Sequence, residues 1–572
     1  MDHVALFAGK HVFKVNGEVI EALRAAGALL ASGTITHSYP HSWRSKAPLI
    51  FRNTAQWFIS MEKNDLRKKA LAAIDKTRFI PAAGRNRLKG MVEARPDWCV
   101  SRQRAWGVPI TVFVNRKTNE PLRDPEVLER IVRAVEIEGA DAWFTSDPAR
   151  FLGPGHRADD FDQVTDILDV WFDSGCTHSF VLEADEDLEW PASLYLEGSD
   201  QHRGWFHSSL LESCATRGRA PYQAVLTHGF VMAGDGQKMS KSLGNIVSPQ
   251  EVANQSGVDI LRLWVVGSDY SEDLRIGPEI LKQHSDIYRR LRNTLRFLLG
   301  NLNGFGDSEK IDVSAMPELE RWILHRVWQL DGQLRRACND FDFHPFFSEL
   351  HNFCAVDLSA FYFDIRKDSL YCDAVGSNRR RAARSALDII FDCLSAWLAP
   401  FICFTAEEAW LARHGEEGNK DFEESVHLRT FPDIPDSWLD KDLAEKWEKV
   451  RAFRRVVTKS LEDARAAKTI GSSLEAQPTV HVSRTYIEAL EGLDAADICI
   501  TSGIAVIEGE PPVGAQSLED VAGIGVVFER AEGEKCERCW KVLEEVGKDP
   551  DYPTVCGRCA DVVRDMDLPE VS

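Results

Sequence analysis

At 572 residues the chain is long enough for about three to five folded units, which excludes a single-core, single-site protein. Sixty-eight Lys and Arg stand against 89 Asp and Glu, and the net charge of −21 excludes a protein that coats nucleic acid or an anionic membrane with its whole surface, while leaving room for local basic faces. With 44% hydrophobic residues and no Gly, Pro or Ser bias, the chain has the apolar material for packed cores and does not read as disordered.

Its most apolar uncharged stretch, Cys393 to Ala406, is interrupted by Pro400 and falls short of the roughly 20 residues that cross a bilayer, so no membrane span is expected. The start, Met1-Asp2-His3, lacks the basic, apolar and small-residue sections of a secretory signal, which sets the expectation of a cytoplasmic protein. Of 13 cysteines, four gather near the C-terminus, a pattern that predicts reduced thiols plus one metal site.

Residues 1 to about 50 mix short apolar runs with loops (Val12-Phe13-Lys14-Val15, then Thr36-His37-Ser38-Tyr39-Pro40) and read as the end of a larger unit. From about 51 to 274, strand-like runs (Val108 to Val114, Ser193 to Leu196, Ala224 to Val231) alternate with helical stretches. This predicts an α/β sheet with ligand chemistry at the carboxyl ends of its strands. The first candidate segment is Leu194-Tyr195-Leu196-Glu197-Gly198-Ser199-Asp200-Gln201-His202-Arg203-Gly204-Trp205-Phe206, an apolar strand running into a Gly-flanked polar turn and a helix. Glu197, Asp200 and Gln201 should crowd the end of that strand, where a carboxylate suits an ammonium or a ribose hydroxyl and Trp205 suits an apolar side chain. The second follows the strand ending in His228-Gly229: the loop Ala233-Gly-Asp-Gly-Gln-Lys238-Met239-Ser240-Lys241-Ser242-Leu-Gly-Asn245. Its two lysines, serines and flanking glycines can bring point charges and hydroxyls onto a polyphosphate, although such a loop taken alone is as readily a solvated turn. Ser248-Pro249-Gln250-Glu251 then predicts a capped helix start.

After about 275 the pattern becomes long helices. Ile287, Leu291, Leu295 and Leu298 mark a buried stripe, with Arg289, Arg292 and Arg296 on another face of the same helix. Leu387, Ile390, Phe391, Leu394, Trp397 and Leu398 mark one face of a later helix stopped by Pro400. Between about 431 and 530 come charged helical segments and β-like stretches at Thr479 to Val482, Ile498 to Ile507 and Ile524 to Phe528. Last comes Cys536-x-x-Cys539, sixteen intervening residues, and Cys556-x-x-Cys559, the paired spacing of a tetrahedral zinc site. Four thiolates leave no open position for water, so the site is structural.

Together these segments resemble the class I aminoacyl-tRNA synthetases, whose KMSKS signature matches Lys238-Met-Ser-Lys-Ser242. More narrowly, Asp97-Trp-Cys-Val-Ser-Arg-Gln-Arg-Ala-Trp-Gly107, Asp169-Val-Trp-Phe-Asp-Ser-Gly175, Glu197-Gly-Ser-Asp-Gln-His-Arg-Gly-Trp-Phe206 and the terminal cysteines are similar to bacterial isoleucyl-tRNA synthetases over nearly the whole chain. The resemblance implies a multidomain α/β protein. It would comprise a distal remnant of an editing insertion (1–50), the second half of a Rossmann-like nucleotide-binding domain (51–274), an all-α anticodon-binding domain (275–430), a junction region (431–530) and a zinc knuckle (531–572). It also implies ATP-dependent activation of isoleucine and transfer to tRNA, with Mg²⁺ accompanying ATP and one structural Zn²⁺. Lys238 and Lys241 would neutralise the triphosphate. Glu197, Gly198, Asp200, Gln201, His228, Gly229 and Lys241 would hold ATP or the adenylate, and Trp171 and Trp205 would wall the isoleucine pocket. Cys536, Cys539, Cys556 and Cys559 would hold the metal, and the Arg289, Arg292 and Arg296 strip would touch tRNA phosphates.

The family's HIGH signature, two histidines that embrace ATP, occurs nowhere in the chain, and the Thr-rich editing centre is also missing. The chain is therefore expected to be incomplete for catalysis by itself and to act as a monomer or beside a separate N-terminal half. The alternatives are half of a split synthetase and a non-catalytic tRNA-binding protein.

Overall fold

Apolar alternation commits Ala192–Gly198 and Tyr222–His228 to strands, and their pairing organises the sheet that carries the candidate site. A computed structural model describes residues 4–42, 45–241, 243–415 and 425–567. Met1, Asp2, His3 and Ser242 lie outside the described residues. The chain divides into two units, Met1–Lys63 with Arg95–Asp173 and Asn64–Ala94 with Ser174–Ser572.

The smaller unit is built from short antiparallel pairs: Phe58–Ile59 with Trp98–Cys99, Ser101–Arg102 with Ile167–Leu168, and Phe113–Asn115 with Phe161–Gln163. Helix Pro125–Glu138 begins where the Asp124 carboxylate accepts from Glu126 N at 2.9 Å, and its Val127, Ile131 and Ala134 pack with Phe113, Trp143 and Phe151. Residues 95–173 thus own a core separate from that of the strands later in the range 51–274.

In the larger unit, Arg78–Ile80, Tyr222–His228 and Ala192–Gly198 form a parallel three-stranded sheet with Tyr222–His228 in the middle. Helices Leu66–Lys76, Ala83–Glu93 and Trp205–Thr216 belong to the same unit. The expected strand from Ala224 to Val231 is interrupted at Gly229, after which Val231–Ala233 pairs instead with Leu274–Ile276. A Cβ on Gly229 would stand 2.2 Å from the Glu272 carbonyl oxygen, so the crossing of these backbones needs glycine there.

Helix Pro278–Leu302 buries Leu291, Leu295 and Leu298 and exposes Arg289, Arg292 and Arg296, as the period predicts, while Ile287 of the same stripe is only half-buried. Helix Asn378–Leu398 buries all six positions of its predicted face. Helices Glu318–Asp340, Phe343–Asn352, Asp364–Cys372 and Lys441–Ala466 share one apolar core with these two and with a four-stranded sheet. In that sheet Thr479–Val482 and Val521–Val527 are central and Ala505–Glu508 and Gln516–Leu518 are the edges. That core continues through position 430 without a break. Ile498, read from its β-branching as strand, is helical instead: the Asp494 carboxylate accepts from Ala496 N and Asp497 N and starts helix Ala495–Cys499. Among the described residues no helix is long and apolar enough to cross a membrane, and none of the 13 cysteines forms a disulfide.

Candidate functional site

Parallel pairing places Glu197 beside Thr227 and Gly198 beside His228, so both central strands end at one edge of the sheet. Gly198 is buried, and a Cβ there would meet Asp200 Oδ1 at 2.8 Å, so a side chain at this position would displace the Asp200 carboxylate. His228 Nδ1 donates to the Gly229 carbonyl oxygen at 2.8 Å, which leaves Nε2 as the exposed nitrogen, 4.0 Å from Glu197 Oε1. Glu197 and Asp200 are exposed. Gln201 is partly committed: its Oε1 accepts from Trp205 N at 3.0 Å and caps the helix that follows, leaving its amide NH₂ directed toward Asp200 Oδ2 at 3.4 Å.

Trp205 is positioned from three sides. Its ring stacks on Tyr195 with centroids 4.1 Å apart, and its Nε1 donates to Ser174 O and to Thr177 Oγ1, both at 3.0 Å. Trp171, assigned to the same pocket by resemblance, belongs to the other unit, where it is exposed with its backbone N donating to Asp169 Oδ1 at 3.3 Å. Sequence reasoning did not single out His202 as a site residue. It is buried, its Nδ1 donates to Ser199 O at 2.7 Å, and burial holds its pKa below the usual imidazole range, so it is a neutral strut beneath the polar turn.

The two-lysine loop leaves the sheet after Val231–Ala233. Gly236, at φ 82°, turns it back so that Gly236 N donates to Ala233 O at 2.8 Å and Lys238 bridges Met232. Asn245 closes it, accepting from Ser240 N at 2.9 Å and donating through Nδ2 to Lys238 O at 3.3 Å. Lys238 and Lys241 are exposed, and among the described residues neither is ion-paired, so both ammonium groups are available to an anion. Helix Pro249–Ser256 starts where predicted, but the Ser248 side chain makes no capping bond; its carbonyl takes Val252 N at 3.2 Å instead.

The four terminal cysteines converge. Their sulfurs all lie within 4.8 Å of one another, all four are buried, and Cys539 Sγ is 3.7 Å from Cys556 Sγ. Ligands about 2.3 Å from a tetrahedral zinc stand about 3.8 Å apart, so the set fits that ion. Without a cation, the Cys559 side chain and burial push the Cys539 thiol up to about 12, and four thiolates would not coexist there.

A family model for tRNA synthetases class I (I, L, M and V) matches residues 14–277, one for the anticodon-binding domain of tRNA ligase matches 320–480, and one for a zinc finger found in FPG and IleRS matches 533–562. An isoleucine–tRNA ligase of Brucella abortus biovar 1 (strain 9-941) is 56% identical over 96% of this chain and 56% of that protein. One of Mesorhizobium japonicum is 55% identical over 96% of this chain and 56% of that protein. A solved methionyl-tRNA synthetase of Mycobacterium tuberculosis, bound by methionyl-adenylate, is similar at a TM-score of 0.46 and 17% identity over 70% of this chain and 71% of that one. The chain spans a little over half the length of the curated relatives it matches.

Proposed function

Because the chain belongs to the class I tRNA synthetase family, we propose that it carries the KMSKS-loop, anticodon-reading and zinc-knuckle portions of an isoleucine–tRNA ligase. The observation that carries this reading is the sheet edge where Gly198 and His228 end side by side, followed on one loop by Lys238 and Lys241, which are exposed and not ion-paired among the described residues.

In the proposed reaction an isoleucine carboxylate oxygen bonds to the α-phosphorus of ATP as the bond from that phosphorus to the bridging oxygen breaks, releasing pyrophosphate. Such a displacement needs positioning and charge neutralisation more than a protein base. Lys238 and Lys241 would meet the charge that moves onto pyrophosphate. Glu197, Gly198, Asp200 and Gln201, whose side-chain NH₂ already lies against Asp200, would hold the adenosine and the amino-acid ammonium, with His228 Nε2 and Gly229 on the base side. Trp205, already braced, would present its remaining surface to the isoleucine side chain, and Trp171 is assigned there by resemblance alone. In the second step the acyl group passes to tRNA, whose phosphates would lie along Arg289, Arg292 and Arg296. We place the protein in the cytoplasm and read it as a monomer.

Among the described residues no strand pairs with the outer edge of Ala192–Gly198, which supports a further segment completing the nucleotide-binding fold. The residues of the relatives that this chain does not cover would supply it, in the same polypeptide or as a separate half. The chain alone is then expected to show no isoleucine-dependent ATP–pyrophosphate exchange, and the complemented enzyme to show it. In that enzyme Lys241→Ala should lower exchange about 10²-fold or more with tRNA affinity little changed. Robust exchange by the chain alone, or equal loss of exchange and tRNA affinity in Lys241→Ala, would contradict this.

A further inference from the structure

The two cysteine turns share more than their cysteines. They read Cys536-Glu-Arg538-Cys539 and Cys556-Gly-Arg558-Cys559, each with arginine immediately before its second cysteine. Both arginines reach the same target, the carboxyl end of helix Asp364–Cys372. Arg538 Nη1 donates to Cys372 O and its Nη2 to Tyr371 O at 3.3 Å, so the guanidinium satisfies two carbonyls at the helix terminus. Arg558 forks onto Asp368, with Nη2 to Oδ1 at 2.8 Å and Nη1 to Oδ2 at 2.6 Å, and Nη1 also reaches Asp373 Oδ1 at 3.1 Å. In the other direction Cys372 Sγ donates to Arg538 O at 3.6 Å, and Cys372 packs in one apolar cluster with the four ligand cysteines.

From that helix end the ion pairs continue inward. Arg379 spans Asp373 and Asp497, Arg366 joins Asp497 at 3.5 Å, and Arg366 forks onto Glu320, which is fully buried in helix Glu318–Asp340. Charge explains why the metal bears on this arrangement. Four thiolates around Zn²⁺ would sum to −2, and Arg538 Nη1 lies 3.7 Å from Cys559 Sγ, so the loaded site would attract the guanidinium that caps the helix.

We propose that Arg538 and Arg558 are positioning residues through which the loaded knuckle clasps the end of helix Asp364–Cys372 and orders the 373–377 turn of the helical region. The metal then serves a segment nearly 200 residues away in sequence, a role separate from closing its own small fold. It does not depend on the ligase reading.

Hydrogen exchange on the full chain, with zinc content measured in the same samples, tests the clasp. Removing zinc from the unmodified chain with a chelator should speed exchange over 364–377 by about tenfold or more and leave the middle of helix Lys441–Ala466 unchanged. The Arg538→Ala, Arg558→Ala double variant should keep one zinc per chain yet show the fast exchange before chelation, with no further change after it. Arg558→Lys, which keeps the charge but loses the fork, should retain zinc and fall between. Unchanged protection of 364–377 after zinc removal, or full protection in the zinc-loaded double variant, would overturn the proposal. Loss of zinc by the double variant would overturn it too, since the arginines would then serve the metal rather than transmit its effect.

Discussion

At the scale of residues, glycines report which backbones have to touch. Two glycines of helix Ala83–Glu93 make the contrast: a Cβ on Gly84 would stand 2.8 Å from His202 Nε2, a rigid buried ring, while a Cβ on Gly90 meets nothing within 4 Å. Gly84→Ala should therefore destabilise the chain by about 1–3 kcal/mol, and Gly90→Ala should stabilise it by about 0.5–1 kcal/mol through helix propensity alone. Urea midpoints for the two variants check this; equal effects would mean that the helix does not press on the polar turn. Neither consequence could be read from the sequence, where both residues are simply glycines in a helical run. Glu197, His228, Lys238 and Lys241 are proposed as site residues because their types and order carry chemistry. The engagement of Gln201 as a helix cap was not legible, because it depends on where Trp205 N falls.

At the scale of elements, the end of helix Cys403–His414 carries a proton-linked contribution. The His414 ring lies 3.9 Å from that of Trp410, and burial, reinforced by Arg413, holds its pKa down to about 4 while Asp388 opposes the shift. In the unfolded chain histidine titrates near 6.5, so between about 6.5 and 4 the unfolded state binds the extra proton. The contribution of neutral His414 is thus fully present above about 6.5 and is lost as pH falls toward 4. His414→Phe should flatten the acid side of the unfolding-midpoint curve across this window, and an unaltered slope in the variant would remove His414 as its cause. Elements with a strong period were visible beforehand: the Leu291, Leu295 and Leu298 stripe and the Leu387 to Leu398 face both came out buried. Ile498 was misread because a local cap at Asp494 outweighs the strand preference of a β-branched residue. The π-helix Phe353–Phe363, which widens the helical run before Asp364, leaves no periodic trace in its apolar sequence.

At the scale of the whole molecule, what could be read early was set by local covalent spacing. Paired Cys-x-x-Cys turns announce their metal because each fixes two sulfurs on one turn, and the structure brings all four together. The ladder from Arg558 through Asp373, Arg379, Asp497 and Arg366 to Glu320 was invisible because it joins residues up to 185 positions apart, and the separate core of 95–173 was hidden inside an apparently continuous α/β pattern. The −21 balance keeps its meaning alongside the proposed tRNA partner: recognition would run through an exposed strip of Arg289, Arg292 and Arg296 and a two-lysine loop on an otherwise acidic protein. The most direct check on that partner is filter binding of the purified chain to tRNA(Ile) and to an unrelated tRNA over a series of salt concentrations. Saturable binding that favours tRNA(Ile) and weakens steadily with salt is the predicted result; no binding, or equal affinity for both tRNAs, would contradict the account.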